Sequence, residues 1–460
     1  MPRKPTLITR RKFLTTSAAL GAGFHLAAAA SPDQPRPKVA AVFTELRFRS
    51  HPYNILENFL APYYFRGQLT DPGVDVVSFY ADQFPATDMA REVSSRFGIP
   101  LFPSIDQALC RGGKELAVDA VLTVGEHGEY PYNARGQHLY PRKEFFDQAL
   151  AVMKRSNRFV PYFNDKHLTY RWDWAREMYE TARETGMPLL AGSSVPLAQR
   201  IPALEIPSGA EIEEALVIHG GGLEVYGFHG LELLQSMVES RKGGETGIAQ
   251  VEVLTGEAYE KASRSGRWPA DLAEAAMTAE RAMNVRRQSR PPELPPSGRG
   301  PTSAVKKSND APPPPKPEGP HAILVTYRSG LKGTVLRLEG NGDRWNFACR
   351  LRGESQARAT AFYNGPWGNR TLFKALSHAI QHLFVQRSEP YPAERTLLTT
   401  GALDAVMLSH ETKGPIETPH LNISYNTRDW ASFRENGASW KIITADSPQP
   451  VQFLPEKGAR

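Results

Sequence analysis

From Lys38 to Ser194 the sequence alternates short apolar runs with amphipathic stretches of helical period, and this limits the fold more than any other feature. KVAAVF (38–43), GVDVVSFYAD (73–82), VDAVLTVG (118–125), RFVPYFND (158–165) and MPLLAGSS (187–194) read as buried strands. PYNILENFLAPYY (52–64), TDMAREVSSRFG (87–98), RKEFFDQALAVMKRSN (142–157) and WDWAREMYETARETG (172–186) read as helices. In the second of these, Thr87 or Asp88 is placed to cap the start and Gly98 to end the helix. Strands separated by helices of this length make βαβ units, hence a parallel sheet covered on both faces. The pattern predicts a Rossmann-like, doubly wound α/β domain over residues 36–197.

Beyond residue 198 the pattern changes. EIEEALVIHGG, IAQVEVLTG, HAILVTYRSG, LKGTVLRLEG and RWNFACRLRG are strand-like runs with turn residues between them, as in an antiparallel or mixed open sheet. Helices return at 372–385 and 394–414, and WPADLAEAAMTAERAM (268–283) reads as a helical flap. The expectation is an α+β C-terminal domain over 198–446, followed by a tail over 447–460. An insertion at about 285–320 holds ten prolines between 291 and 317 and reads as a solvated spacer. An open sheet face of this kind is compatible with a homo-oligomer.

The N-terminus explains the net charge of +6. Arg10-Arg11-Lys12-Phe13-Leu14 precedes a short run of small apolar residues ending in Ala27–Ala30, and resembles a twin-arginine (Tat) signal. Its apolar stretch is too short to span a bilayer. The expectation is a signal over 1–30, export by the Tat translocase to the periplasm, and no stable membrane insertion after cleavage. Five basic residues and no acidic one lie in this segment, so the remainder carries 50 basic against 49 acidic side chains. The charge therefore gives no support to nucleic-acid binding. Roughly 430 mature residues allow two or three domains. Cys110 and Cys349 form no framework; each is a small buried residue, or the two pair in an oxidising compartment.

In a doubly wound sheet ligands sit beyond the carboxyl ends of the strands. The first such loop, Thr44 to His51, contains no glycine, whereas a dinucleotide-binding turn reads GxGxxG so that backbone can approach the pyrophosphate. Arg47 and Arg49 offer charge to a phosphate, with Ser50 at the next helix start, or pair with surface carboxylates. Asp82 ends the second strand, as a ribose ligand or a helix cap. Glu126, His127 and Glu129 cluster after the third, and Lys166 follows the fourth in NDKH. No second ligand group has metal-site spacing, so no metal is assigned.

Taken in order, SRFGIPLFPSIDQAL after the second strand, NDKHLT, GFHGLELL and EPYPAERTLLTTGALDAVMLSH resemble the Gfo/Idh/MocA oxidoreductases. NDKHLT stands where that family has Glu-Lys-Pro, and GFHGLELL where it has GxHxxD. The resemblance runs over nearly the whole mature chain and rests on order and spacing. It implies hydride transfer between NAD or NADP and a hydroxyl of a small-molecule sugar or glycoside. Lys166 then lies near the nicotinamide and the substrate hydroxyl, His229 is acid/base or substrate ligand, and Glu232 takes the position of the family's Asp. Thr44, Arg47, Arg49, Ser50, Asp82, Glu126, His127 and Lys166 line the cofactor crevice. Without the resemblance, His229 reads as a packed or capping histidine; its flanking glycines allow close approach of substrate or backbone.

Three departures stand against this reading. The glycine loop is missing, Glu-Lys-Pro has become Asp165-Lys166-His167, and Val225 occupies a position where many members have Asp. The alternatives are a non-redox carbohydrate-binding protein that keeps Lys166 and His229, and a metal-assisted lyase or hydrolase using Glu126, His127, His229 and Glu232.

Overall fold

The computed structural model describes residues 35–288, 319–339 and 344–450. The signal segment, the proline-rich stretch and the end of the tail lie outside the described residues.

The first half builds β1 (Lys38–Phe43), α1 (His51–Leu60), the hairpin β2 (Tyr63–Phe65) and β3 (Gln68–Thr70), β4 (Asp75–Ala81) and α2 (Ala90–Phe97). It continues with β5 (Leu101–Phe102), α3 (Ile105–Cys110), β6 (Ala120–Val124), α4 (Arg142–Arg155), β7 (Tyr162–Asp165), α5 (Trp172–Thr185) and β8 (Leu189–Gly192). The strands form one parallel sheet in the order β5-β4-β1-β6-β7-β8. This is the doubly wound order, with its reversal between β1 and β6. Helix α1 stops four residues before the end of the run read as helix. Pro62 follows, and Tyr63 and Tyr64 enter the hairpin, which turns at Arg66 and Gly67 with φ of 50° and 79°. Asp88 Oδ1 accepts from Ala90 N at 3.1 Å, and Gly98 ends α2 at φ 65°. The run SRFGIPLFPSIDQAL supplies both the edge strand β5 and α3, which Ser104 caps by accepting from Gln107 N.

The second half comprises β9 (Gln199–Ile201), β10 (Ile212–His219), α6 (Leu223–Val238), β11 (Ile248–Thr255), α7 (Gly256–Arg264) and α8 (Ala270–Gln288). After these come β12 (His321–Tyr327), β13 (Lys332–Arg337), β14 (Trp345–Leu351), β15 (Arg358–Tyr363), α9 (Asn369–Gln386), α10 (Ala393–Thr412) and β16 (Ile416–Glu417). Its eight strands run β16-β11-β12-β13-β10-β14-β15-β9, antiparallel except for the parallel pair β10 and β13. One face packs on α6 and α10 through Val217, Phe228, Leu234, Val335 and Leu398. The other face, which the sequence reading left free for self-association, is covered by α7 and α8. Leu216, Ile218, Leu254, Ala322, Leu336 and Ala348 there bury Tyr259, Trp268, Leu272 and Ala276.

Helices α9 and α10 belong to both halves. Phe373, Leu376, Ile380 and Phe384 of α9 share a core with Val39, Phe43 and Phe59. Helix α10 is buried along most of its length, and a Cβ at Gly401 would meet Trp172 at 2.7 Å and Leu421 at 2.4 Å, so the close fit there needs glycine. Cys110 and Cys349 are free and buried in separate cores, so the pairing alternative falls. Among the described residues no helix is long and apolar enough to cross a membrane.

Candidate active site

The crevice at the β1/β6 reversal collects polar and charged side chains from the ends of β1, β6, β7 and β8 and from α6. Thr44 fixes its floor: Thr44 N donates to Val124 O at 3.3 Å, and Oγ1 donates to Glu126 O at 2.6 Å. The Glu126 carboxylate is thereby held inward. Lys166 Nζ donates to one of its oxygens at 2.7 Å, and Arg142 Nη2 to the other at 2.7 Å. All three are buried. Burial alone would raise the Glu126 pKa, but the Lys166 ammonium and Arg142 guanidinium hold it well below the usual carboxylate range. Lys166 sits at φ 63°, with its backbone paired to Gly192 in both directions at 3.0 and 3.2 Å. Gly192 is at φ 133°, and a Cβ there would stand 2.9 Å from both Glu232 Oε2 and Thr396 Oγ1. Only glycine lets the end of β8 approach α6 and α10 so closely.

Two histidines face this pair. His51, the first residue of α1, has Nδ1 2.6 Å from Asp165 Oδ2. Asp165 is buried, and the His51 ring lies edge-on to His127 and Phe373 at 5.1 and 4.7 Å. Nδ1–H donates to the carboxylate, and Nε2 has no protein partner among the described residues. His229 has Nδ1 2.6 Å from Ser193 Oγ, which itself accepts from Val195 N at 3.0 Å. The Ser193 hydroxyl proton is then free to go to His229 Nδ1, which places the ring proton on Nε2. Burial, then the Lys166 ammonium, pushes His229 well below its ordinary pKa, so it is neutral at pH 7.

A second layer backs Arg142. His167 Nδ1 donates to Thr169 O at 2.9 Å, and its Nε2 accepts from Arg142 Nη1 at 3.2 Å. Glu224, in the first turn of α6, accepts from His138 N at 3.4 Å. Burial, only partly offset by Arg142, pushes its pKa up to about 7.

The residues singled out by sequence divide into two groups. Lys166, Glu126, His127, Thr44 and His229 meet in the crevice. Glu232 instead points at α10, accepting from Thr399 Oγ1 at 2.5 Å, and burial raises its pKa. The glycines beside His229 lie within α6 and admit the second sheet's side chains. A Cβ at Gly230 would meet Val335 at 2.5 Å, and one at Gly227 would meet Ile323 at 3.3 Å. They serve helix-to-sheet packing rather than substrate approach. Val225 is exposed. Glu126, His127, His229 and Glu232 take separate partners, and among the described residues no three His, Cys, Asp or Glu side chains are grouped to hold a metal. His51, Asp165, Ser193, Arg142 and Glu224 were missed as site residues. His51 follows Ser50 and Asp165 precedes Lys166 in the sequence, but only the approach of the α1 start to the end of β7 joins the two side chains.

The loop from Thr44 to Ser50 decides how well a dinucleotide fits. Glu45 is buried in it, its carboxylate 2.5 Å from Arg47 Nε, and Arg47 Nη2 lies 3.1 Å from His127 Nδ1. Arg49 turns away at φ 65° to donate to Trp367 O at 3.1 Å. Ser50 caps α1 and Pro52 removes an amide, so the helix start offers few free N–H groups to an anion. Asp82 is exposed and accepts from Tyr80 and Tyr130 hydroxyls at 2.7 and 2.5 Å, rather than capping α2. A buried carboxylate where two phosphates would lie, with no glycine to admit them, does not fit a diphosphate held in the glycine-loop manner.

No protein-family model matches the sequence. No curated protein matches it. Solved structures do. GenD2 from gentamicin A biosynthesis, in complex with NAD, aligns with TM-score 0.54 and 14% identity over 85% of this chain and 99% of that one. Scyllo-inositol dehydrogenase from Lactobacillus casei, with bound NAD(H) and scyllo-inositol, aligns with TM-score 0.49 and 11% identity over 83% and 99%. The UDP-N-acetylglucosamine 3-dehydrogenase GnnA from Acidithiobacillus ferrooxidans gives 0.45 and 10% over 82% and 98%. The parallel sheet in doubly wound order, joined to an eight-stranded mixed sheet, is the fold of the Gfo/Idh/MocA-type dehydrogenases.

Proposed function

We propose that the crevice binds a polyhydroxylated small molecule of the sugar or glycoside class and transfers a proton to and from it, on a dehydrogenase fold. One observation carries this reading: the His51–Asp165 pair stands beside Lys166, Glu126 and His229 at the strand reversal. His51 Nε2, with its lone pair free and Asp165 holding the other nitrogen, is the proton acceptor. Asp165 is a positioning residue that steadies the imidazolium formed. His229 Nε2–H and the Lys166 ammonium donate to substrate oxygens as negative charge grows on them.

A second reading has its own support. Oxidation of a sugar hydroxyl by NAD or NADP is favoured by the fold shared with GenD2, solved in complex with NAD. A bound nicotinamide would supply hydride transfer, and the same His51 would take the hydroxyl proton. The glycine-free turn with Glu45 argues against it. We further propose export through the Tat route, carried by Arg10 and Arg11. Replacing both by Lys should keep the protein in the cytoplasmic fraction, and unchanged fractionation would refute the route.

The deciding experiment is mass spectrometry of small molecules released on denaturing the purified protein, paired with calorimetric titration of sugars and inositols. Sugar binding without any dinucleotide, and its loss in Lys166→Met, supports the proton-transfer reading. NAD or NADP near one per chain puts hydride transfer in its place. Failure to bind any polyol removes both.

A further inference from the structure

None of the crevice residues lines the cavity of about 390 Å³ that β9 and the segment around Trp430 enclose, walled in part by Gln199, Arg200, Glu205, Arg434 and Asn436. Its charges are unevenly matched. Arg200 and Arg434 are buried, with side chains 6% and 9% exposed, whereas Glu205, the carboxylate they share, is 68% exposed. Arg200 Nη1 donates to Glu205 Oε2 at 3.1 Å and to Leu204 O at 2.8 Å, and Arg434 Nη2 donates to Glu205 Oε1 at 2.6 Å. The other terminal nitrogen of each guanidinium has no protein hydrogen bond among the described residues.

Among the described residues no carboxylate other than Glu205 bonds to either guanidinium. Both guanidinium groups lie against the Trp430 ring, at 5.6 and 5.0 Å from its centroid, as does Arg395 at 4.6 Å. Glu239 is committed to Arg395, with Nε 2.9 Å from Oε2. Glu435, also in the cavity wall, accepts from the backbone of Arg66, Asn436 and Gly437 and from the Ser439 hydroxyl. Burial, then the Arg434 guanidinium, pushes Arg200 down to about 9, the mark of a cation short of counter-charge. Two buried forks converging on an open cavity, with one solvent-facing carboxylate between them, make an oxyanion site whose occupant in the free protein is Glu205.

We propose that this cavity binds a small molecule through a phosphate monoester or carboxylate group, which displaces Glu205 and bridges Arg200 and Arg434. The cavity exceeds the size of a bare phosphate, so the rest of the ligand lies over Gln199 and Asn436.

The test is calorimetric titration of the full chain with inorganic phosphate and, separately, with acetate, each at ionic strength matched by sodium chloride. The proposal expects saturable binding, weakened at least tenfold in Arg434→Gln, and tightened several-fold in Glu205→Gln, where the competing carboxylate is gone. Glu205→Gln keeps the shape and an acceptor oxygen for both guanidinium groups, and a urea-unfolding curve of each variant checks that it is folded before titration; where Arg434→Gln is not, Glu205→Gln carries the test. Tighter binding of phosphate assigns a phosphate monoester, and tighter binding of acetate assigns a carboxylate. Heats equal to those of chloride, or weaker binding in Glu205→Gln, overturn the site. Because no crevice residue takes part, neither result depends on the reading of the crevice.

Discussion

His51 and His229 have unlike partners at Nδ1: the ring N–H of His51 donates to the Asp165 carboxylate at 2.6 Å, while Nδ1 of His229 lies 2.6 Å from the Ser193 hydroxyl, whose oxygen already accepts from Val195 N. One ring therefore offers a lone pair and the other an N–H.

This difference is directly measurable. Long-range proton–nitrogen correlation spectra at pH 8 should show His51 protonated at Nδ1 and His229 at Nε2. Ser193→Ala should release His229 from that tautomer and cost about 1–3 kcal/mol, because it leaves the buried His229 Nδ1 and Val195 N without their shared partner. Asp165→Asn should disturb His51 alone. Identical tautomers for the two rings would dispose of the donor–acceptor arrangement.

Lys166 is less simple to remove than its proposed role implies. Its partner Glu126 stays buried, with Arg142 as its remaining cation. Lys166→Met should therefore cost about 3 kcal/mol in urea unfolding, because breaking one side of a buried pair leaves a charge badly matched. Adding Glu126→Gln should recover part of that loss. If the single variant is as stable as the parent, the Lys166–Glu126 contact is not the strong ion pair described here.

How much of this was legible in the sequence depends on the range of the interactions. The first sheet could be read because period and length are local properties, and KVAAVF or VDAVLTV admits few other states. The hairpin after α1 is not legible because Tyr63 and Tyr64 continue an apolar run past Leu60, where the helix ends ahead of Pro62. Lys166 and His229 were found through family order. His51 with Asp165 was not, since 114 residues separate them and neither side chain alone carries a signal. The glycines around His229 were read as serving substrate, but the packing of α6 on β13 had first claim on Gly230.

Gly230 is a test of that packing. An alanine Cβ there would stand 2.5 Å from Val335 Cγ1, a stiff β-branched side chain that cannot swing away. Overpacking of this kind costs about 1–3 kcal/mol, while alanine's better helix propensity returns roughly 0.5–1 kcal/mol. Gly230→Ala should thus destabilise by about 1–2 kcal/mol and displace the neighbouring His229 from Ser193, lowering ligand affinity as well. Greater stability in the variant, as at an exposed helical glycine, would show that α6 and β13 are not so close.

Glu224 gives the crevice a stability that depends on pH. It packs beneath the Arg142 and Lys166 cations and the Glu126 carboxylate, with His138 N and His167 against it, and burial lifts its pKa from 4.5 to about 7. Between those values the unfolded chain releases the Glu224 proton and the folded chain keeps it, so its contribution to stability falls as pH rises through this window, then stays level above about 7. The whole decline is about 3 kcal/mol. Glu126 and the buried neutral histidines work in the opposite direction, losing stability as the solution is acidified, so the profile of the parent protein alone does not isolate Glu224. The difference between Glu224→Gln and the parent does. Glutamine keeps the shape and never ionises, so the variant should match the parent near pH 4 and exceed it by about 3 kcal/mol at pH 8 in urea unfolding. A difference that does not change with pH would mean that Glu224 titrates alike in the folded and unfolded chain, with the Arg142 and Lys166 cations offsetting its burial.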